Sequence, residues 1–103
     1  MRLHEIKLQV GFADAILNGE KTFEIRKNDR GYQKGDQIRF TTVTSDDETG
    51  ELYEAGHEID DHLFEVTYVM SGWGLREDFV AFGIRDIGTV RYDELEDRPE
   101  VDS

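Results

Sequence analysis

The sequence predicts a small α+β barrel, with several short strands arranged around one early helix. Three observations carry this. The 103 residues suit one domain with a single compact core. Apolar side chains alternate with period two in several separate stretches. One stretch only, residues 12–18, switches to helical spacing.

Each element follows from its local pattern. In residues 3–10, His4, Ile6, Leu8 and Val10 share one face, which marks a half-buried strand. Phe12, Ala13, Ile16 and Leu17 then recur at helical spacing, and Asn18-Gly19 supplies a left-handed stop. From Lys21 to Lys27 the period returns to two. Phe23 and Ile25 point one way, and Thr22, Glu24 and Arg26 point the other. Asn28-Asp29-Arg30-Gly31 and Lys34-Gly35-Asp36 are turn signals. The next strand alternates Ile38 and Phe40 with Gln37, Arg39 and Thr41. Ser45 to Gly56 is acidic and turn-rich, the composition of a surface loop or hairpin tip, and residues 45–61 read as an acidic insertion. A strand over about 60–70 places Phe64, Val66, Tyr68 and Met70 on one face, and Gly72-Trp73-Gly74 breaks it. Phe79 to Ile84 is apolar on both faces, as suits a central strand; residues 85–92 extend it or add another. The domain is expected over 1–92, with 93–103 as an acidic, frayed tail.

Charge is unevenly spread. The net charge is -12. Residues 1–41 hold eight Lys/Arg against six Asp/Glu, a net of +2, while residues 42–103 hold four against eighteen, a net of -14. Backbone affinity for nucleic acid comes from neutralising phosphates, so the body of this chain repels duplexes non-specifically. Any nucleic-acid contact is expected in a local basic cleft of the first half. With no cysteine, disulfides and thiolate metal sites are excluded. Met1 to Glu5 shows no signal-peptide pattern, and no apolar run approaches the ~20 residues of a membrane helix. The expectation is a soluble, cytoplasmic monomer with no membrane contact.

Gly19-Glu20-Lys21-Thr22-Phe23-Glu24-Ile25-Arg26 resembles the ASCH superfamily signature, Gly-x-Lys-x-x-Glu-x-Arg after a short helix. Together with His4-Glu5-Ile6-Lys7, the extended run to Arg30, and the later segments Val66–Val69, Gly72–Leu75 and Phe79–Ile84, it is similar to the DUF3850 family of bacterial and phage proteins. The resemblance implies a PUA-like (ASCH) β-barrel with a short helix after the first strand, and a cleft where helix meets barrel. It also implies a cleft ligand, RNA or a modified nucleoside. One related group deacylates N4-acylcytidines with a Lys at the position of Lys21 and a Thr where Glu24 stands here. A carboxylate does not replace a hydroxyl nucleophile. Other relatives are described as ribonucleases using Lys, Arg and Tyr, for which Lys21, Arg26 and Tyr68 are the candidates.

Residue chemistry allows the same site. A partly desolvated Lys21 is a usable base; the plain alternative is an exposed lysine near the helix C-terminus. Glu24 and Arg26, two apart on a strand, can share a ligand, Arg through its planar fork and Glu as an acceptor; otherwise they form a surface ion pair worth ~0–1 kcal/mol. Lys27, Arg30 and Lys34 form a basic cluster able to steer an anion, and Trp73 is either a stacking platform or a barrel plug. His57, His62, Glu58, Asp60 and Asp61 are a loose oxygen-rich group without metal spacing, so no metal or cofactor is expected. The binding residues are therefore Lys21, Thr22, Glu24, Arg26, Lys27, Arg30 and Trp73. Three functions compete: a module binding RNA or a nucleoside-like ligand, a small hydrolase with Lys21 and Glu24 as acid/base pair, and an acidic module for a basic protein partner.

Overall fold

A computed structural model describes residues 1–89 and 100–102. Strand β1 (Arg2–Gln9) passes through a 3-10 turn (Val10–Phe12) into helix α1 (Ala13–Leu17). Then come β2 (Phe23–Lys27), β3 (Gln37–Ser45), β4 (Leu52–Glu54), a second 3-10 turn (Glu58–Asp61), β5 (His62–Ser71), β6 (Phe79–Thr89) and β7 (Glu100–Asp102). Pairing runs in the order β2-β6-β5-β3-β1-β7, with β4 attached to β3. β1 lies parallel to β3 and to β7, while β2–β6, β3–β4, β3–β5 and β5–β6 are antiparallel. Among the described residues the path is open: β2 ends it and pairs only with β6. Of the predicted tail, Glu100–Asp102 lie along β1, while 93–99, 103 and domain residues 90–92 fall outside the described residues.

The open sheet is nonetheless curled. β6 and β1 are three strands apart in the pairing order, about 14 Å on a flat sheet. Yet the Tyr32 ring lies 4.7 Å from His4 on β1 and 4.6 Å from Phe82 on β6. One side chain spans the two strands because the sheet folds over. Inside sit Ile6, Leu8, Ile38, Phe40, Phe64, Val66, Val80 and Phe82, closed on one side by Ala13 and Ile16 of α1. The sheet thus dominates a small α+β domain.

Three local outcomes depart from simple alternation. On β2 the apolar residues face out: Phe23 and Ile25 are 48% and 50% exposed, and Glu24 is buried. On β5 the expected single face is broken, because a bulge between Val66 and Tyr68 inserts one residue and reverses the facing thereafter. Phe64 and Val66 point into the core, whereas Tyr68 and Met70 point outward. The bulge fits against Gly83, where an added Cβ would stand 2.5 Å from Thr67 Oγ1. Last, β1 ends at Gln9, so Val10 opens the 3-10 turn instead of continuing the strand.

The stretch over 45–61 is a hairpin, β3–β4, whose tip is held by Asp46 Oδ1 accepting from the amides of Glu48 and Thr49. Its far end is anchored, since Ile59 is fully buried. A second anchor joins β1 to the turn before β3. Asp36 accepts from the backbone amides of Arg2 (3.2 Å) and Gln33 (3.1 Å), and its Oδ2 lies 2.8 Å from His4 Nε2. Both side chains are buried, and this connection fixes the start of the parallel pair.

Candidate functional site

The stop of α1 positions the first site residue. Gly19, at φ 84°, turns the chain back after Asn18, and the Lys21 amide donates to Ala15 O at 2.9 Å. Lys21 therefore leaves the helix just before β2, with its side chain over that strand. Its Nζ donates to Phe23 O (2.8 Å) and to Glu24 Oε1 (2.7 Å). It also lies 5.2 and 5.1 Å from the ring centres of Phe12 and Phe23, within cation–π range. From the other side, Arg26 Nε donates to Glu24 Oε2 at 3.0 Å.

Glu24 is the organising group. Its side chain is 6% exposed, against 20% for Lys21 and 25% for Arg26. A buried carboxylate with each oxygen engaged by a cation fixes both cations in place, and hydrogen bonds to charged groups are the stronger kind. The inverted facing of β2 now has a reason: Glu24 points inward to hold two cations, and Phe23 and Ile25 are left outside.

All three residues line one groove. Its first lobe, about 460 Å³, is bounded by Lys21, Glu24 and Arg26 with Phe12 and with Leu8 and Leu52 from the β1–β3–β4 side. A second lobe of about 560 Å³ is bounded by Arg26, Lys27 and Arg30 with Glu5, Asp29 and Glu54. Lys7, Arg26 and Val43 line both lobes, so the two lobes adjoin at these side chains. The groove thus lies where β2, at the open end of the sheet, comes opposite β1 without pairing to it.

Other predicted residues fall elsewhere. Thr22 is exposed and outside the groove lining; its carbonyl accepts from Ile84 N at 2.9 Å. Trp73 is 89% exposed on the β5–β6 turn with φ 52°, so it is not a barrel plug, and it does not line the groove. Lys34 lines a separate shallow pocket with Glu65 and Arg85, which splits the predicted basic cluster. Tyr68 faces outward and Tyr32 is part of the core. The oxygen-rich group disperses. His57 Nδ1 accepts from Ile59 N, so its Nε2 carries the proton and donates to Asp14 at 2.8 Å. His62 pairs with Asp86, and Asp60 accepts from Thr42. Among the described residues no cluster of His, Asp or Glu is arranged to hold a metal.

Two groove residues escaped the sequence reading. Lys7 sits on the polar face of an ordinary alternating strand, and although it closes the family-like run His4-Glu5-Ile6-Lys7, nothing there marks it as a groove residue. Phe12 belongs to the helical apolar pattern, yet it is half-exposed at the groove edge.

Fold and groove together define a sheet-dominated α+β domain with a charged groove at the open end of its sheet. The chain belongs to the family described as "Domain of unknown function (DUF3850)", which matches residues 3–84. It is also 43% identical over 37 residues to the "Uncharacterized 12.9 kDa protein in GpA 3'region" of Escherichia phage P2. That stretch is 36% of this chain and 34% of the phage protein, so the match spans about a third of the relative's length. Among the described residues, no helix is long and apolar enough to cross a membrane.

Proposed function

We propose that this is an ASCH-type, PUA-like binding module whose groove takes RNA or a nucleoside-like ligand. The observation that carries the reading is the buried Glu24, whose oxygens hold Lys21 and Arg26 at the groove wall at 2.7 and 3.0 Å. Buried ion pairs are poor devices for stability alone. Here the partners remain open to a groove lined by aromatic and aliphatic side chains, an arrangement that suits a planar base together with polar or anionic groups. The curled sheet and the early helix are consistent with the PUA-like architecture. The -14 balance of residues 42–103 supports a local groove over a broad basic surface.

Fluorescence anisotropy with short single-stranded RNA, and calorimetry with a panel of modified nucleosides, test the proposal. Binding should weaken at least ten-fold in Lys21→Ala and in Arg26→Ala while both variants keep a cooperative unfolding transition. No binding across the panel, or binding that survives both substitutions, overturns it.

A second reading, a hydrolase with Lys21 and Glu24 as acid and base, rests on their direct contact at the groove. It predicts turnover of RNA or of an N4-acylcytidine that is abolished by Glu24→Gln. A pure sample that binds these compounds and leaves them intact removes it.

A further inference from the structure

We infer that the groove selects a phosphorylated nucleotide over a bare nucleoside, with the phosphate between Lys7 and Arg26 and the base in the first lobe. This deepens the reading of the groove given above and rests on it.

The junction of the two lobes carries the argument. Lys7 and Arg26 line both lobes from different strands, β1 and β2, which are not paired to each other. Among the described residues, Lys7 has no hydrogen-bond or ion-pair partner. Arg26 spends its Nε–H on Glu24, and its two terminal nitrogens have no partner among the described residues. A guanidinium pinned at Nε presents its remaining N–H groups in a fixed fork, the geometry that matches a phosphate. An unpaired lysine facing an arginine that shares one carboxylate with Lys21 leaves net positive charge at the junction, which, in a chain of net charge -12, marks a place for an anion.

The lobes then separate by chemistry. Apart from the shared Lys7 and Arg26, the first lobe sets Lys21 against the one carboxylate, Glu24, and the rings of Phe12 and Phe23 are half-exposed. Such rings offer stacking surfaces for a base. In the second, Glu5, Asp29 and Glu54 offset Lys27 and Arg30, so an anion is disfavoured deep inside while sugar hydroxyls find acceptors. The anion is left at the junction. A terminal phosphate and an internal phosphodiester share this chemistry.

Calorimetry with the four nucleosides, their 5'-monophosphates, the matching dinucleoside monophosphates and inorganic phosphate decides the matter. At least one 5'-monophosphate or dinucleoside monophosphate should bind ten-fold or more tightly than its nucleoside. That ratio should collapse toward one in Lys7→Ala, whose exposed site makes misfolding no obstacle. A dinucleoside monophosphate that outbinds the 5'-monophosphate assigns the junction to a phosphodiester, and the reverse order assigns it to a terminal phosphate. Equal affinity for nucleoside and nucleotide overturns the inference and leaves the binding reading intact. So does a ratio unchanged in Lys7→Ala, or inorganic phosphate binding as tightly as any nucleotide. If no nucleoside, nucleotide or RNA binds, the binding reading itself fails.

Discussion

Two buried carboxylates organise this domain, and they do opposite work. Asp36 accepts from two backbone amides and meets His4, and its side-chain partner is fully buried. Glu24 is as deeply placed, but its partners Lys21 and Arg26 keep 20% and 25% of their side-chain surface, at a groove. The first closes on itself and ties β1 to the turn before β3. The second holds cations where a ligand can reach them. The lesson is that burial of an acid does not mark a site; the exposure of what it holds does.

The comparison can be broken from either side. Asp36→Ala should have the largest effect, because it strips three donors of their acceptor in the interior; the expected loss is about 3–5 kcal/mol. Urea unfolding measures it, and whatever remains folded should bind RNA as the parent does. Glu24→Gln should reverse the weighting. It should cost about 1–3 kcal/mol, since its partners can turn to water, while weakening binding ten-fold or more. If Glu24→Gln unfolds the domain more than Asp36→Ala does, the two roles have been misassigned.

An effect of similar size on stability belongs to the β5 bulge, where Gly83 pairs with Phe23 beside Glu24. Gly83→Ala should lose about 1–3 kcal/mol through its clash with Thr67, and the added change Thr67→Ala should restore most of it. A double-mutant cycle with no coupling would show that the bulge does not depend on that contact. The smallest effect concerns the β3–β4 tip. The amides of Thr49 and Glu48 hold the Asp46 carboxyl below its usual value. A lowered carboxylate stabilises the fold above its unfolded pKa and loses that contribution as pH falls through the folded value. Asp46→Ala should therefore lower the neutral plateau of a stability–pH curve slightly and flatten its acid limb, leaving stability at the lowest pH unchanged.

Much of the framework was legible. The alternation in β1 put His4, Ile6 and Leu8 on one face, and the helical spacing with Asn18-Gly19 located α1 and its stop. Period two was equally plain in β2, but a period does not say which face is inside. Apolar content favoured Phe23 and Ile25, and the tertiary need to hold Lys21 and Arg26 set Glu24 there instead. The β5 pattern failed at Thr67, because a bulge depends on the neighbouring strand having a glycine opposite. The Asp36–His4 connection and the groove position of Lys7 arise between segments far apart in the chain, where local patterns carry no information. The Lys21, Glu24 and Arg26 set was visible as a motif, and its geometry only in three dimensions.

The most direct test of the central claim is an amide chemical-shift map of the whole domain titrated with a short single-stranded RNA. The account predicts saturable shifts centred on Lys7, Phe12 and Lys21 to Arg26, with Val43 and Leu52 on the facing wall, all absent in Glu24→Gln. Shifts confined to the Trp73 turn or the acidic β3–β4 tip, or an unchanged map in Glu24→Gln, would contradict it.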